Sequence, residues 1–306
     1  LRKSLLYIVL LACCVVLPLQ AQADTVRFGV PPWPGVTVKT EVLAQIIEAM
    51  GYDTEQLEVG PAIVYNGLTT GDVDVYVASW IPLQNEMFRP LKEKNAVDIV
   101  GVNLDEAGVS LAVPTYVWEA GVRSIADLDK YADKFDHTIY SIEVGSGMQV
   151  STEQIVKNDV AGLGDWKMLC SPVPAMIRAV QDKVRAGEWV VFHGWQPHWM
   201  IYQMDMKFLE GVPGTEGLVN KSTVYTLASL DFRDRFPQVH KFLANLYIKG
   251  ATQSEWINEY GFKKRKPADV ARDWIGANLD TVETWLKGVN AADGTPGIDA
   301  VRAAFS

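Results

Sequence analysis

The regular change of hydrophobic period along this chain constrains its fold more than any other feature. Short apolar runs of period two alternate with longer stripes of period near 3.6. Val26–Val30 reads as a strand. Val38–Met50 reads as a helix with Val42, Leu43, Ile46, Ile47 and Met50 on one face, and Gly51 as its stop. Gly71–Ala78 sets Val73, Val75 and Val77 against Asp72, Asp74 and Tyr76, a strand pattern. Further strands are expected at Val97–Val102, Val109–Val113, Ile139–Glu143, Trp189–His193 and Ser222–Ser229. Helices are expected at Gln84–Asn95, Pro174–Gly187, Phe232–Ile248, Gln253–Tyr260 and Pro267–Leu286, with others opening at Ser124 and Gly147. Strands separated by helices imply mainly parallel sheets with covered faces. The chain is long for one sheet, and no low-complexity linker divides it. The expected architecture is therefore α/β in two lobes, each a mainly parallel sheet flanked by helices. The chain would cross between them near Asn103–Val109 and Met206–Val212. Lobe 1 would hold residues 24–105 plus 212–306, and lobe 2 residues 106–211.

The first residues point to export. Arg2 and Lys3 precede a nearly unbroken apolar run, Ser4–Leu19, and then Ala21-Gln22-Ala23. That order predicts a signal peptide over residues 1–23, cut before Asp24, and a periplasmic protein. Leu10-Leu11-Ala12-Cys13 also fits a lipoprotein cleavage box, but the apolar run continues past it to a better cut site. The net charge is −9, and becomes more negative once Arg2 and Lys3 are removed. Such a surface argues against nucleic acid or anionic membrane as a partner. Cys13 and Cys14 fall within the leader, which leaves Cys170 alone and excludes an intrachain disulfide.

Three times, a short apolar strand runs into a tryptophan followed closely by proline. The units are Trp33-Pro34, Trp80-Ile81-Pro82 and Trp195-Gln196-Pro197. In open α/β sheets ligands bind beyond the carboxyl ends of strands, so these three indoles are expected to face one cleft. Indole faces attract cations that have no hydrogen to donate, such as quaternary ammonium groups. Prolines beside the rings stiffen their turns. Trp118, Trp166, Trp189, Trp256, Trp274 and Trp285 sit within element patterns and read as packing residues, while Trp199 reads either way.

A second candidate is Glu143-Val144-Gly145-Ser146-Gly147-Met148. Glycines at a helix start let backbone amides approach an anion such as a carboxylate. Ser146 would act as helix cap or ligand donor, and Glu143 would orient a neighbour or face a ligand cation. Tyr65 would close the aromatic box or simply pack. His193 and His198 flank Trp195, with no third ligand to suggest a metal. The chain contains no GxSxG, HExxH or Walker pattern. No catalytic residue, metal or cofactor is expected. One rival class is a secreted carbohydrate-active hydrolase using Glu143 and Asp74 as paired carboxylates.

At these residues the chain resembles the glycine betaine/choline class of substrate-binding proteins of ABC importers. The resemblance spans Asp24–Ser306. It is carried by Trp33, by DVDVYVASWIP (Asp72–Pro82), by IEVG (Ile142–Gly145) and above all by FHGWQPHWM (Phe192–Met200). It implies a type II periplasmic-binding-protein fold with two hinge crossings, and a quaternary-ammonium box of Trp33, Trp80 and Trp195. It also implies a loop, Ser146–Met148, that closes from the second lobe. The implied partners are a small methylated-ammonium solute and a membrane permease, and the protein itself would be a monomer. Choline-specific members carry an Asp where this chain has Gly35, a Tyr wall where it has Val109, and Asn-Asp where it has Ser146-Gly147. These departures favour glycine betaine over choline. Trimethylamine N-oxide, carnitine, proline betaine or an amino acid remain as alternatives. Tyr65, Tyr116 and Trp118 are the candidates for the fourth wall, and His198 and Gly35 for the periphery of the site.

Overall fold

Apolar alternation in the first strand decides where the sheet lies. In the computed structural model, which describes residues 25–305, Val26, Phe28 and Val30 of strand β1 (Val26–Val30) are buried. The expected leader, residues 1–23, lies outside the described residues. The other strands are β2 (Thr54–Glu58), β3 (Val75–Ile81), β4 (Asp98–Pro114), β5 (Thr138–Ser141), β6 (Lys167–Cys170), β7 (Val191–Gln196), β8 (Met206–Phe208) and β9 (Asn220–Ala228). They form one mixed sheet in the order β2-β1-β3-β9-β4-β7-β5-β6, with β8 beside β4.

Two hydrophobic cores flank this sheet. The first joins β1 and β3 to the helix Pro34–Ala49 and to the C-terminal helices, through Phe28, Ile46, Phe232, Phe242 and Trp256. The second gathers Leu111, Ile139, Trp166, Met176 and Phe192 around β5 and β7. Each fully buried side chain of this size contributes roughly 1.5–3 kcal/mol, so each cluster is a core in its own right. Trp33 and Trp80 pack at the edge of both. Among the described residues, no helix is long and apolar enough to cross a membrane.

The α/β class holds, with differences in detail. Parallel pairing is confined to the flanks β2-β1-β3 and β7-β5-β6; the pairs made by β9, and those of β4 with β7 and β8, are antiparallel. The two strands expected at Val97–Val102 and Val109–Val113 are one continuous 17-residue strand, β4, which runs along both cores. The second crossing does not lie at 206–212. Met206–Phe208 instead pairs with the far end of β4, and Leu209 and Leu218 are buried in the second core. The chain returns along β9, whose register with β4 runs from Asn220 opposite Val109 to Ala228 opposite Asp98. β2 and the helix Pro61–Thr70 are absent from the sequence expectation. β2 reads TEQLE and is mostly exposed, because an edge strand needs only backbone pairing.

Candidate functional site

Each tryptophan is delivered to the site by a different local device. Trp33 caps the helix Pro34–Ala49 in extended conformation, with Pro34 preset for the first turn. Its carbonyl accepts from both the backbone N–H and the hydroxyl of Thr37, each at 3.0 Å. Trp80 and Trp195 lie within β3 and β7 rather than after their ends, and each is followed two residues later by a cis proline, Pro82 and Pro197. The Trp80 backbone N–H donates to Gln84 Oε1 at 3.2 Å, which also accepts from the Tyr65 hydroxyl at 2.9 Å.

One cavity is lined by all three indoles together with Gly35, Ser146, Gly147, Met148, Val109 and Gln253. It lies between the two cores: Trp33 and Trp80 touch both, and Trp195 belongs to the edge of the second. The indole N–H of Trp33 donates to Glu143 Oε1. Glu143 therefore orients a ring and does not itself line the cavity. On the same side, Gly145 has φ +84°, a turn conformation glycine adopts without penalty. Ser146 then caps the helix Gly147–Lys157, its hydroxyl accepting from Gln149 N at 3.3 Å. The first turn of that helix presents Gly147 and Met148 to the cavity. A Cβ at Gly147 would stand 2.8 Å from Leu83 Cγ and 2.9 Å from the Leu83 carbonyl oxygen, so the segment after Pro82 closes directly onto it.

Several candidates lie elsewhere. Tyr65 is buried and bonds Ser79 and Gln84, a layer behind Trp80. The Tyr116 hydroxyl bonds the Glu188 carbonyl, and Trp118 stacks against Arg123 at 4.5 Å. None of the three lines the cavity; Val109, opposite Trp195 in the β4–β7 ladder, does. His198 sits behind Trp195 with ring centroids 4.8 Å apart, its Nδ1 accepting from Met200 N. Burial pushes its pKa down to about 3. His193 is likewise held near 3 by burial; its ring joins Ile142 N to the Thr152 hydroxyl and so ties β5 to the helix behind Gly147. Trp199 is buried beyond His198. Asp74 is buried between Arg27 and Arg235, outside the cavity lining, so it forms no carboxylate pair there with Glu143. No cluster of metal-ligating side chains occurs among the described residues.

Two lining residues carried no sequence signal. Gln253, from the helix Gly250–Ile257, donates Nε2 to the Gly35 carbonyl at 2.8 Å, and its Oε1 is buried without a partner. Lys39 reaches the cavity from within the helix Pro34–Ala49.

A family model described as the substrate binding domain of an ABC-type glycine betaine transport system matches residues 24–277. The chain belongs to this family. An ABC-transporter choline-binding protein in complex with choline superimposes with a TM-score of 0.88 at 28% identity, over 93% of this chain and 99% of its own. Lactococcal OpuAC, closed on glycine betaine, gives a TM-score of 0.77 at 25% identity, over 86% and 99%. The glycine betaine/carnitine transport binding protein GbuC of Listeria monocytogenes is 27% identical over 162 residues, 53% of this chain and 53% of that one. The fold is thus the two-lobed type II arrangement, and the chain is a substrate-binding component of an ABC transporter of the glycine betaine/choline class.

Proposed function

We propose that this chain is the exported, monomeric receptor of an importer for a zwitterionic methylated ammonium such as glycine betaine. It holds the methyl groups between Trp33, Trp80 and Trp195 and delivers the solute, chemically unchanged, to a membrane permease. The single observation that carries this reading is that three indoles from separate parts of the chain line one cavity between two cores. Each cation–π contact contributes about 0.5–2 kcal/mol, more where water is excluded. Three such contacts, with an anion contact from the amides at Ser146–Met148, suffice for a dissociation constant on the order of 1 μM. The cleft between the lobes would close by a hinge motion along β4 and β9, where the chain passes from one core to the other.

A second reading has its own support. The unpartnered Gln253 Oε1 is an acceptor beside Gly35, and a solute hydroxyl, as in choline or carnitine, wants such an acceptor. Titration calorimetry with glycine betaine, choline, carnitine, trimethylamine N-oxide and proline tests both readings. Micromolar binding of at least one methylated ammonium is expected, with more than tenfold loss in each of Trp80→Ala and Trp195→Ala. Equal affinity in both variants would remove the cage from consideration.

A further inference from the structure

Lys39 is 3% exposed, on a helix face that packs against the sheet. Its Nζ donates to the Asn103 Oδ1 at 2.8 Å and to the Val77 carbonyl at 3.2 Å. Both acceptors come from points where the sheet is irregular. The β3–β9 register shifts between Tyr76 and Ser79, and the β4–β9 register shifts between Val102 and Leu104. Asn103 is held in turn by the Val77 carbonyl and the Thr226 hydroxyl, at 3.1 and 2.9 Å. An ammonium has three donors and no acceptor, and these bonds use two of them.

No other residue lining the cavity is titratable. The groups that meet the ammonium from β3 and β4 are uncharged, and those the helix Gly250–Ile257 and the Trp80–Gln84 segment bring to the cavity, Gln253 and Gln84, are uncharged too. Tyr65 and Tyr76 stand behind Gln84, and Glu143 is engaged by Trp33. Among the described residues no carboxylate forms an ion pair with Lys39.

We propose that Lys39 sorts solutes in this cavity by the charge of the end opposite the methylated ammonium: it adds a charge contact to the zwitterion carboxylate that the Ser146–Met148 amides also meet, and disfavours a solute that is only a cation. The inference rests on the tryptophan-cage reading above. Burial lowers the Lys39 pKa from 10.5 to about 7, so the side chain changes charge in the working range of the protein. A carboxylate beside it favours the charged form and raises that pKa in the complex. The gain is complete below the free-state pKa and is lost as pH rises through the bound-state value. Binding a zwitterion then takes up protons at neutral and mildly alkaline pH, and its affinity falls as pH rises above 7. A pure cation lowers that pKa instead: its binding releases protons at and below neutral pH, and its affinity rises as pH approaches 7 and is flat above it. His193 and His198, held near 3, do not titrate in this window.

The test is calorimetric titration of the full chain with glycine betaine and with choline, from pH 6 to 9, in two buffers of different ionisation heat. Net proton uptake with glycine betaine is expected, with affinity at least threefold weaker at pH 9 than at pH 6. Choline is expected to show proton release between pH 6 and 7, with affinity that rises over that unit and is flat from pH 7 to 9. Lys39→Met is expected to flatten both slopes and to lower the betaine-to-choline affinity ratio at least tenfold. Betaine binding by the unsubstituted chain with no proton exchange and a flat pH profile overturns the role of Lys39 while leaving the cage intact. A folded chain that binds neither solute at any pH overturns both.

Discussion

A Cβ at Gly35 would stand 2.8 Å from Gln253 Nε2 and 3.2 Å from Ile257 Cδ1. The missing side chain at this position is matched by an amide arriving from 218 residues away, which bonds the Gly35 carbonyl. The two positions therefore act as one. Gly35→Asp on its own is expected to destabilise the protein by about 1–3 kcal/mol through overpacking and to weaken glycine betaine binding. Combining it with Gln253→Ala removes the obstacle and leaves a carboxylate in the cavity. The double variant is expected to recover thermal stability and to shift preference toward choline. Thermal melting and calorimetry of the single and double variants check this, and additive losses would show that the two residues do not share the space.

The elements that meet at the cavity are set by short contacts. The turn at Gly145 and the cap at Ser146 aim the start of the helix Gly147–Lys157 at the segment following Pro82. Gly147 permits that approach, since a methyl group there would overlap the Leu83 backbone. Backbone cannot swing aside as a flexible side chain can, so Gly147→Ala is expected to hold these segments apart. Glycine betaine affinity should fall about tenfold with an unchanged circular dichroism spectrum, and small-angle scattering with ligand should report a wider particle than the parent chain. A compact particle with full affinity would count against closure at this point.

Across the whole molecule, two fully neutral histidines support the second half of the site. His193 bridges β5 to the helix behind Gly147, and His198 backs Trp195. Both have folded pKa values near 3, below the unfolded value of 6.5, so the unfolded chain binds more protons between those limits. Stability is thus highest above 6.5 and declines as pH falls toward 3, by up to about 1.4 kcal/mol per histidine for each pH unit. Thermal melts from pH 7 to 4 are expected to show this decline. His193→Asn, which carries no titrating ring, is expected to start from a lower melting temperature and to lose less of it on acidification. A parallel acid profile in the variant would assign the decline to other groups.

Hydrophobic period and the repeated tryptophan–proline unit were enough to read an α/β fold and the three indoles that line its cavity, because both are local: a strand's alternation and a proline's restricted φ are written in consecutive residues. What the sequence could not supply is every relation that depends on a distant partner. Lys39 reads as an ordinary helix lysine, and only the bulged junction of β3, β4 and β9 provides the acceptors that let it be buried. Gln253 carries no local sign of meeting Gly35, and Tyr65 gives none of bonding behind Trp80 instead of beside it. The return crossing fell at β9 rather than at 206–212 for the same reason. Strand pairing is decided by which backbone groups remain unmatched once the sheet assembles, and that is a property of the folded chain alone.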